Sequence, residues 1–193
     1  MFDADRALFL WINAQPGAAA WLIELARRVS GTLPAVVAAL VITGAVVRPT
    51  WRRPVLAALL ALALTWLAVR GVRLALPLPR PGALGLGVQW QPQGLRPAFP
   101  SMHASTAFAF AAALAVSGLR TAAAAAWLAA LAVGWSRVFL GLHFPSDILG
   151  GLVLGSLLGG LTALLVARAA GPLTFGARRV APLAAREATG QPP

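Results

Sequence analysis

Ionisable and imidazole side chains are scarce in this chain, and those suited to chemistry fall into three short groups. The first is Arg73-x6-Arg80-Pro81, the second Pro100-Ser101-Met102-His103, and the third Ser136-Arg137-x5-His143-x3-Asp147. Guanidiniums present planar forks of N–H donors that match a tetrahedral oxyanion. They also stabilise the charge on a transferring phosphoryl group, the larger part of phosphoryl-transfer catalysis. Arg73, Arg80 and Arg137 are therefore candidate phosphate ligands. Ser101 offers a hydroxyl, and at the start of a helix it brings unpaired backbone N–H groups, including that of Met102, toward an anion. Two histidines divide the remaining work, since one can attack phosphorus while the other protonates the departing oxygen. Asp147 lies four residues after His143 and can hold that ring in the tautomer that leaves one nitrogen free, as a triad carboxylate does.

Each group alone has an ordinary structural reading. An Arg-Pro after an apolar run is commonly a boundary, Ser101 a helix N-cap, and a lone interfacial His a structural residue. Their convergence depends on which elements carry them. With 59% hydrophobic and 11% charged residues over 193 positions, and a mean hydropathy of +0.78, the chain reads as a single integral membrane domain. The net charge of +11 comes from 16 Arg, no Lys and five acids. The arginines sit at the ends of apolar runs rather than on a basic helix, so the expected partners are lipid headgroups and not nucleic acid. The absence of Cys excludes disulfides and thiolate metal sites. The N-terminus carries Asp3 and Asp5 where a signal peptide would be basic, so none is expected.

The pattern predicts an all-α membrane bundle of about five spans: 29–47, 54–76, 101–119, 122–140 and 145–166. Two shorter segments, 2–13 and 18–26, read as amphipathic helices lying in the interface, with a transmembrane hairpin as the alternative, so that residues 1–28 precede the spans. Gly151, Gly155 and Gly159 line one face of the last span with small residues and read as a packing surface. Residues 171–193 read as a mobile cytoplasmic tail after a domain of residues 1–170. Five spans put Arg48, Arg52, Arg53, Arg120, Arg168, Arg178, Arg179 and Arg186 on one side, which the positive-inside rule assigns to the cytoplasm. Arg70, Arg73, Arg80, Arg96, Arg137, both histidines and Asp147 share the other side, where an anionic ligand accounts for the surplus of arginine. Arg27 and Arg28 fall there too, excused only by the interfacial placement of their segment.

The three groups, in order and spacing, resemble the type 2 phosphatidic acid phosphatase family, whose pattern is K-x6-RP, PSGH and SR-x5-H-x3-D. The resemblance covers roughly residues 30 to 170. It implies an all-helical membrane phosphatase without metal or cofactor, with His143 as the phosphate-accepting nucleophile, Asp147 as its partner and His103 as general acid. Arg73, Arg80, Arg137 and Ser101 match the phosphate-binding positions. Arg73 stands where the family has Lys, which keeps the charge but changes its geometry, and Met102 stands where it has Gly. Length, span number and outer-face placement look most like the bacterial undecaprenyl-pyrophosphate phosphatases of the family. This implies a multi-pass protein of the inner membrane with its site facing the periplasm or exterior. Phosphatidic acid, phosphatidylglycerol phosphate and a lipid A phosphate are the alternative substrates. Two other classes compete: an anionic-lipid-binding or transport module, which needs the arginines but not the His143–Asp147 pair, and a non-haem iron site of two His and one carboxylate.

Overall fold

A computed structural model describes residues 3–92, 94 and 96–169, and within them the chain is helical with no strands. The expected tail over 171–193 lies outside the described residues. Helix α1 spans Asp3–Ile12, with Asp3 and Asp5 in a first turn where the helix dipole favours carboxylates. It stops at Asn13, before Gln15-Pro16-Gly17, where Gly17 takes a positive φ of 96°. Helix α2, Ala20–Gly31, and α3, Leu33–Val47, follow one another across a 44° bend. The sequence pattern predicts a span that starts at Val29, but Val29 to Gly31 close α2 and the break falls at Thr32. Pro34 explains the position: it has no N–H to donate to the carbonyl four residues back, and Gly31 is a poor helix former.

After a 3₁₀ turn at Pro49–Trp51, α4 covers Arg52–Ala75 and ends at Leu76, just before Pro77. A loop of Gly, Pro and Gln, containing one short 3₁₀ turn at Pro81–Leu84, leads to α5, Met102–Val116. The remaining helices are α6, Arg120–Phe139, and α7, Pro145–Ala169. Pro49–Ala75, α6 and α7 are each long and apolar enough to cross a membrane, and α2 with α3 would make a fourth, bent span. The pattern predicts a further span over 101–119, whereas α5 has only 15 residues, a rise of about 22 Å against a hydrocarbon core of about 30 Å. Ser117-Gly118 ends it, with Gly118 at φ 82°. Helix α5 packs against α4, α6 and α7 and is buried over most of its length. Enclosed by other helices, it need not reach either lipid surface.

Packing is arranged as in a membrane protein. Ala104, Ala109, Ala111, Ala113 and Ala130 fill the interior, while Leu40, Leu67, Leu128 and Leu157 face outward. Small residues inside allow backbones to approach, and apolar residues outside meet lipid tails. The glycine stripe of α7 shows this most directly. A Cβ on Gly155 would land on the carbonyl oxygen of Ser105, one on Gly159 on that of Ala109, and one on Gly151 would press on Ser105 N. The expected packing role therefore holds, and the neighbour is α5. Gly155→Leu should lower stability by about 1–3 kcal/mol through forced separation of the two helices. The outward-facing Leu157→Ala should stay within about 0.5 kcal/mol. Thermal unfolding of both variants in one detergent checks this, and equal losses would contradict the packing assignment.

Candidate active site

The three sequence groups converge at one end of the bundle. Helix α4 brings Arg73 in its last turn, the following loop brings Arg80, and α5 opens with Met102 and His103. Helix α6 brings Arg137 in its last turn, and the α6–α7 turn brings His143. All six line one cleft of about 800 Å³. Ser101 and Asp147 lie behind its wall. Ser101 N donates to the Asp147 carbonyl at 3.0 Å, tying the start of α5 to the first turn of α7. The Ser101 hydroxyl is fully buried, makes no cap to its own helix, and has no partner among the described residues.

His143 is 1% exposed and Asp147 3%. His143 Nδ1 lies 3.0 Å from Asp147 Oδ2, which also accepts the Phe144 N–H at 3.0 Å. On the opposite edge of the ring, Nε2 sits 3.4 Å from Arg80 Nη1. A guanidinium only donates, so Nε2 must be the acceptor and the proton resides on Nδ1, directed at Asp147. Burial, and then the positive field of Arg80, Arg137 and Arg73, pushes the His143 pKa well below its ordinary 6.5. The ring is therefore neutral at pH 7, with its free lone pair on the arginine side. An imidazole in that state can attack phosphorus.

Each motif guanidinium is anchored by the backbone or by a hydroxyl. Arg73 donates from Nε and Nη2 to the Pro100 carbonyl at 3.1 and 2.8 Å, and from Nη2 to that of Ala98 at 3.3 Å. A lysine, with its single ammonium, has no such fork, so the Arg at this position adds a clamp on the loop before α5. Arg80 donates from Nε to the Arg96 carbonyl at 2.9 Å and from Nη1 to that of Leu142 at 3.2 Å. Burial, together with the charges of Arg73 and Arg96, lowers the Arg80 pKa to about 10, against the pull of Asp147, and still leaves it charged at pH 7. Arg137 Nη1 donates to Ser30 Oγ at 2.7 Å. The N–H groups of Met102, His103 and Ala104 open α5 without intrahelical acceptors, as the first turn of any helix must. His103, on the same turn, lines the cleft, and its ring has no hydrogen-bond partner among the described residues. No three His, Asp or Glu side chains come together as a metal-binding group among those residues, so the iron alternative lacks a ligand set there.

Several residues that hold the site carry no local sequence signal. Asp5 of α1 accepts both the Ser146 N–H, at 2.9 Å, and the Ser146 hydroxyl, at 2.6 Å, capping α7 one residue from Asp147. Asn13 is buried and donates to Val88 O and Phe139 O, each at 3.0 Å, while its Oδ1 accepts Val88 N–H at 2.7 Å. It therefore pins the α4–α5 loop to the end of α6. Trp90 extends the seam by donating Nε1–H to Ala14 O at 2.9 Å. Phe9 is fully buried and meets the Phe144 ring edge-on at 5.2 Å. The partners of these contacts are 75 to 141 residues away in sequence.

Comparison with known proteins agrees with this arrangement. The PAP2 superfamily pattern matches residues 54–170. The chain is 33% identical over 174 residues to the "Putative undecaprenyl-diphosphatase YbjG" of Escherichia coli K12, covering 88% of this chain and 85% of that protein. It is 42% identical over 74 residues to the lipid A 1-phosphatase of Rhizobium johnstonii, covering 36% of this chain and 28% of that one. Among solved structures, Aquifex aeolicus LpxE superposes with a TM-score of 0.68 at 24% identity, over 86% of this chain and 96% of its own. The PAP2 type phosphatidylglycerolphosphate phosphatase of Bacillus subtilis superposes with a TM-score of 0.64 at 23% identity, over 86% and 84%. Fold, motif order and sequence relatives agree that the chain belongs to the PAP2 superfamily and is a membrane lipid phosphatase.

Proposed function

We propose that this phosphatase converts a polyprenyl diphosphate, undecaprenyl diphosphate, to the monophosphate through a phosphohistidine on His143. The observation that carries the chemistry is the orientation of the buried His143 ring, with Nδ1 on Asp147 and Nε2 on the arginine side of the cleft. Nε2 attacks the terminal phosphorus. The bond from that phosphorus to the bridging oxygen breaks, and His103 gives its proton to the leaving oxygen of the lipid monophosphate. Water then attacks the phosphorus on Nε2 and passes a proton to His103. Inorganic phosphate leaves, and both rings return to their starting states. Asp147 keeps the Nδ1 proton in place and stabilises the charge that the ring gains on phosphorylation. Arg73, Arg80 and Arg137 take the non-bridging oxygens, assisted by the Met102 N–H, with Ser101 supporting the start of α5. The long similarity to a protein named as an undecaprenyl-diphosphatase supports this substrate. The shorter match to a lipid A 1-phosphatase supports a lipid A phosphate as the second reading.

Both His143→Ala and His103→Ala should lower phosphate release from undecaprenyl diphosphate by about 10²–10⁴-fold or more. After quenching of turnover, an acid-labile phosphoryl group should be found on His143. Phosphate recovered on His103 instead would reverse the two roles. Turnover should also persist in excess chelator, because the guanidiniums supply the positive charge a metal would otherwise provide. Loss on chelation that one divalent ion restores would refute this mechanism.

On this reading the site faces outward from a bacterial inner membrane, because Arg48, Arg52, Arg53 and Arg120 favour a cytoplasmic location for the opposite end. Ala83 and Thr50 are exposed at the two ends. A single Cys at Ala83 should react with a membrane-impermeant thiol reagent in cells whose outer membrane, if any, has been permeabilised, and one at Thr50 should not. The opposite labelling would overturn the orientation.

A further inference from the structure

The cleft holds more positive charge than its three motif arginines. Arg70 and Arg96 also line it, and no carboxylate lines it among the described residues. One phosphate monoester brings at most two negative charges to five guanidiniums. A diphosphate brings about one more, divided over two centres, and so matches the surplus more closely.

The two additional arginines differ from the motif three in what their donors do. Arg73, Arg80 and Arg137 spend much of their hydrogen-bonding capacity on Pro100, Ala98, Arg96, Leu142 and Ser30. The guanidiniums of Arg70 and Arg96 donate to no protein acceptor among the described residues. Arg70 is nevertheless positioned, lying over the Trp66 ring at 4.7 Å, and the Arg96 backbone is held by Arg80 Nε at 2.9 Å.

The place of Arg70 along the cleft is also ordered, while Arg96 lines it from the α4–α5 loop beside Arg80. Trp66, Arg70 and Leu74 recur every four residues on α4 and form one stripe that borders the cleft. Trp66 is 44% exposed and Leu74 85%, the apolar border across which a lipid tail would leave. Arg70 lies between those two, while Arg73 is turned toward the loop before α5. A second phosphoryl group, joined to the lipid and displaced from His143 by one bridging oxygen, would sit on the tail side of the reacting one.

We propose that Arg70 and Arg96 form a second phosphate subsite, which grips the lipid-linked phosphoryl group of a diphosphate while the terminal one occupies the motif arginines. This rests on the diphosphate reading given above and assigns residues to it. The residues act by binding, and attack at His143 is unchanged.

The test compares farnesyl diphosphate with farnesyl monophosphate, which share a tail and differ by one phosphoryl group. The quantity read is the ratio of their kcat/KM values. In the double variant Arg70→Gln, Arg96→Gln that ratio should fall by roughly 10- to 100-fold, the scale expected for charged hydrogen bonds made to only one of the two substrates. A general loss of fold or of positive field lowers both values together and leaves the ratio in place, and that result overturns the subsite. A wild-type enzyme that cleaves the diphosphate with preference, and a double variant that keeps the preference, overturns the subsite while leaving the diphosphate reading intact. A wild-type enzyme that cleaves the monophosphate and not the diphosphate overturns both.

Discussion

Like charges gathered without a counter-ion are the constraint around which the cleft end of this bundle is built. Arg73, Arg80 and Arg137 converge on a cleft that no carboxylate lines among the described residues, since Asp147 lies behind its wall and is engaged with His143. Mutual repulsion and lost hydration would disperse the arginines unless fixed dipoles held them. The structure supplies those dipoles from segments that otherwise look like plain connection. Carbonyls of Ala98 and Pro100 hold Arg73, those of Arg96 and Leu142 hold Arg80, and the Ser30 hydroxyl holds Arg137. An anion entering this site meets donors already aimed and pays little to organise them, which is how preorganised electrostatics lowers a phosphoryl-transfer barrier.

The loops must then be held in turn, and the N-terminal third of the chain does that. Asp5 caps α7, Asn13 fastens the α4–α5 loop to α6, Phe9 fills the space behind Phe144, and α2 presents Ser30. Asp5 and Asn13 come from segments too short to span a bilayer. Beneath the site, the glycine stripe of α7 lets the α5 backbone approach closely, and the Ser101–Asp147 backbone bond joins the start of one helix to the first turn of the other. The two histidines therefore sit on elements locked to each other, as the proposed transfer of a phosphoryl group to His143, with proton donation from His103, requires.

The cleft-lining motif residues were legible in the sequence because charge is costly in an apolar chain and therefore rare. Spacing alone put His143 and Asp147 on one turn. The glycine face was legible for the same kind of reason, a period of four on a helix. Span boundaries were less so. Hydropathy does not register that Pro34 breaks a helix inside the apolar run of 29–47, nor that α5 can be short because other helices enclose it. The supporting contacts of Asp5, Asn13 and Ser30 were not legible, since each depends on a partner brought near only by folding. Arg70 was visible as a charge, but its difference from Arg73, three residues away on the same helix, is a matter of what each guanidinium reaches.

An oxyanion that mimics pentacoordinate phosphorus reports most directly on the roles proposed for the two histidines and the three arginines. In a structure of the protein with orthovanadate, the vanadium should be bonded to His143 Nε2. Its equatorial oxygens should lie within hydrogen-bonding distance of Arg73, Arg80 and Arg137, and its outer apical oxygen should face His103. Vanadium bonded to His103, or held by the arginines with His143 Nε2 turned away, would contradict the account.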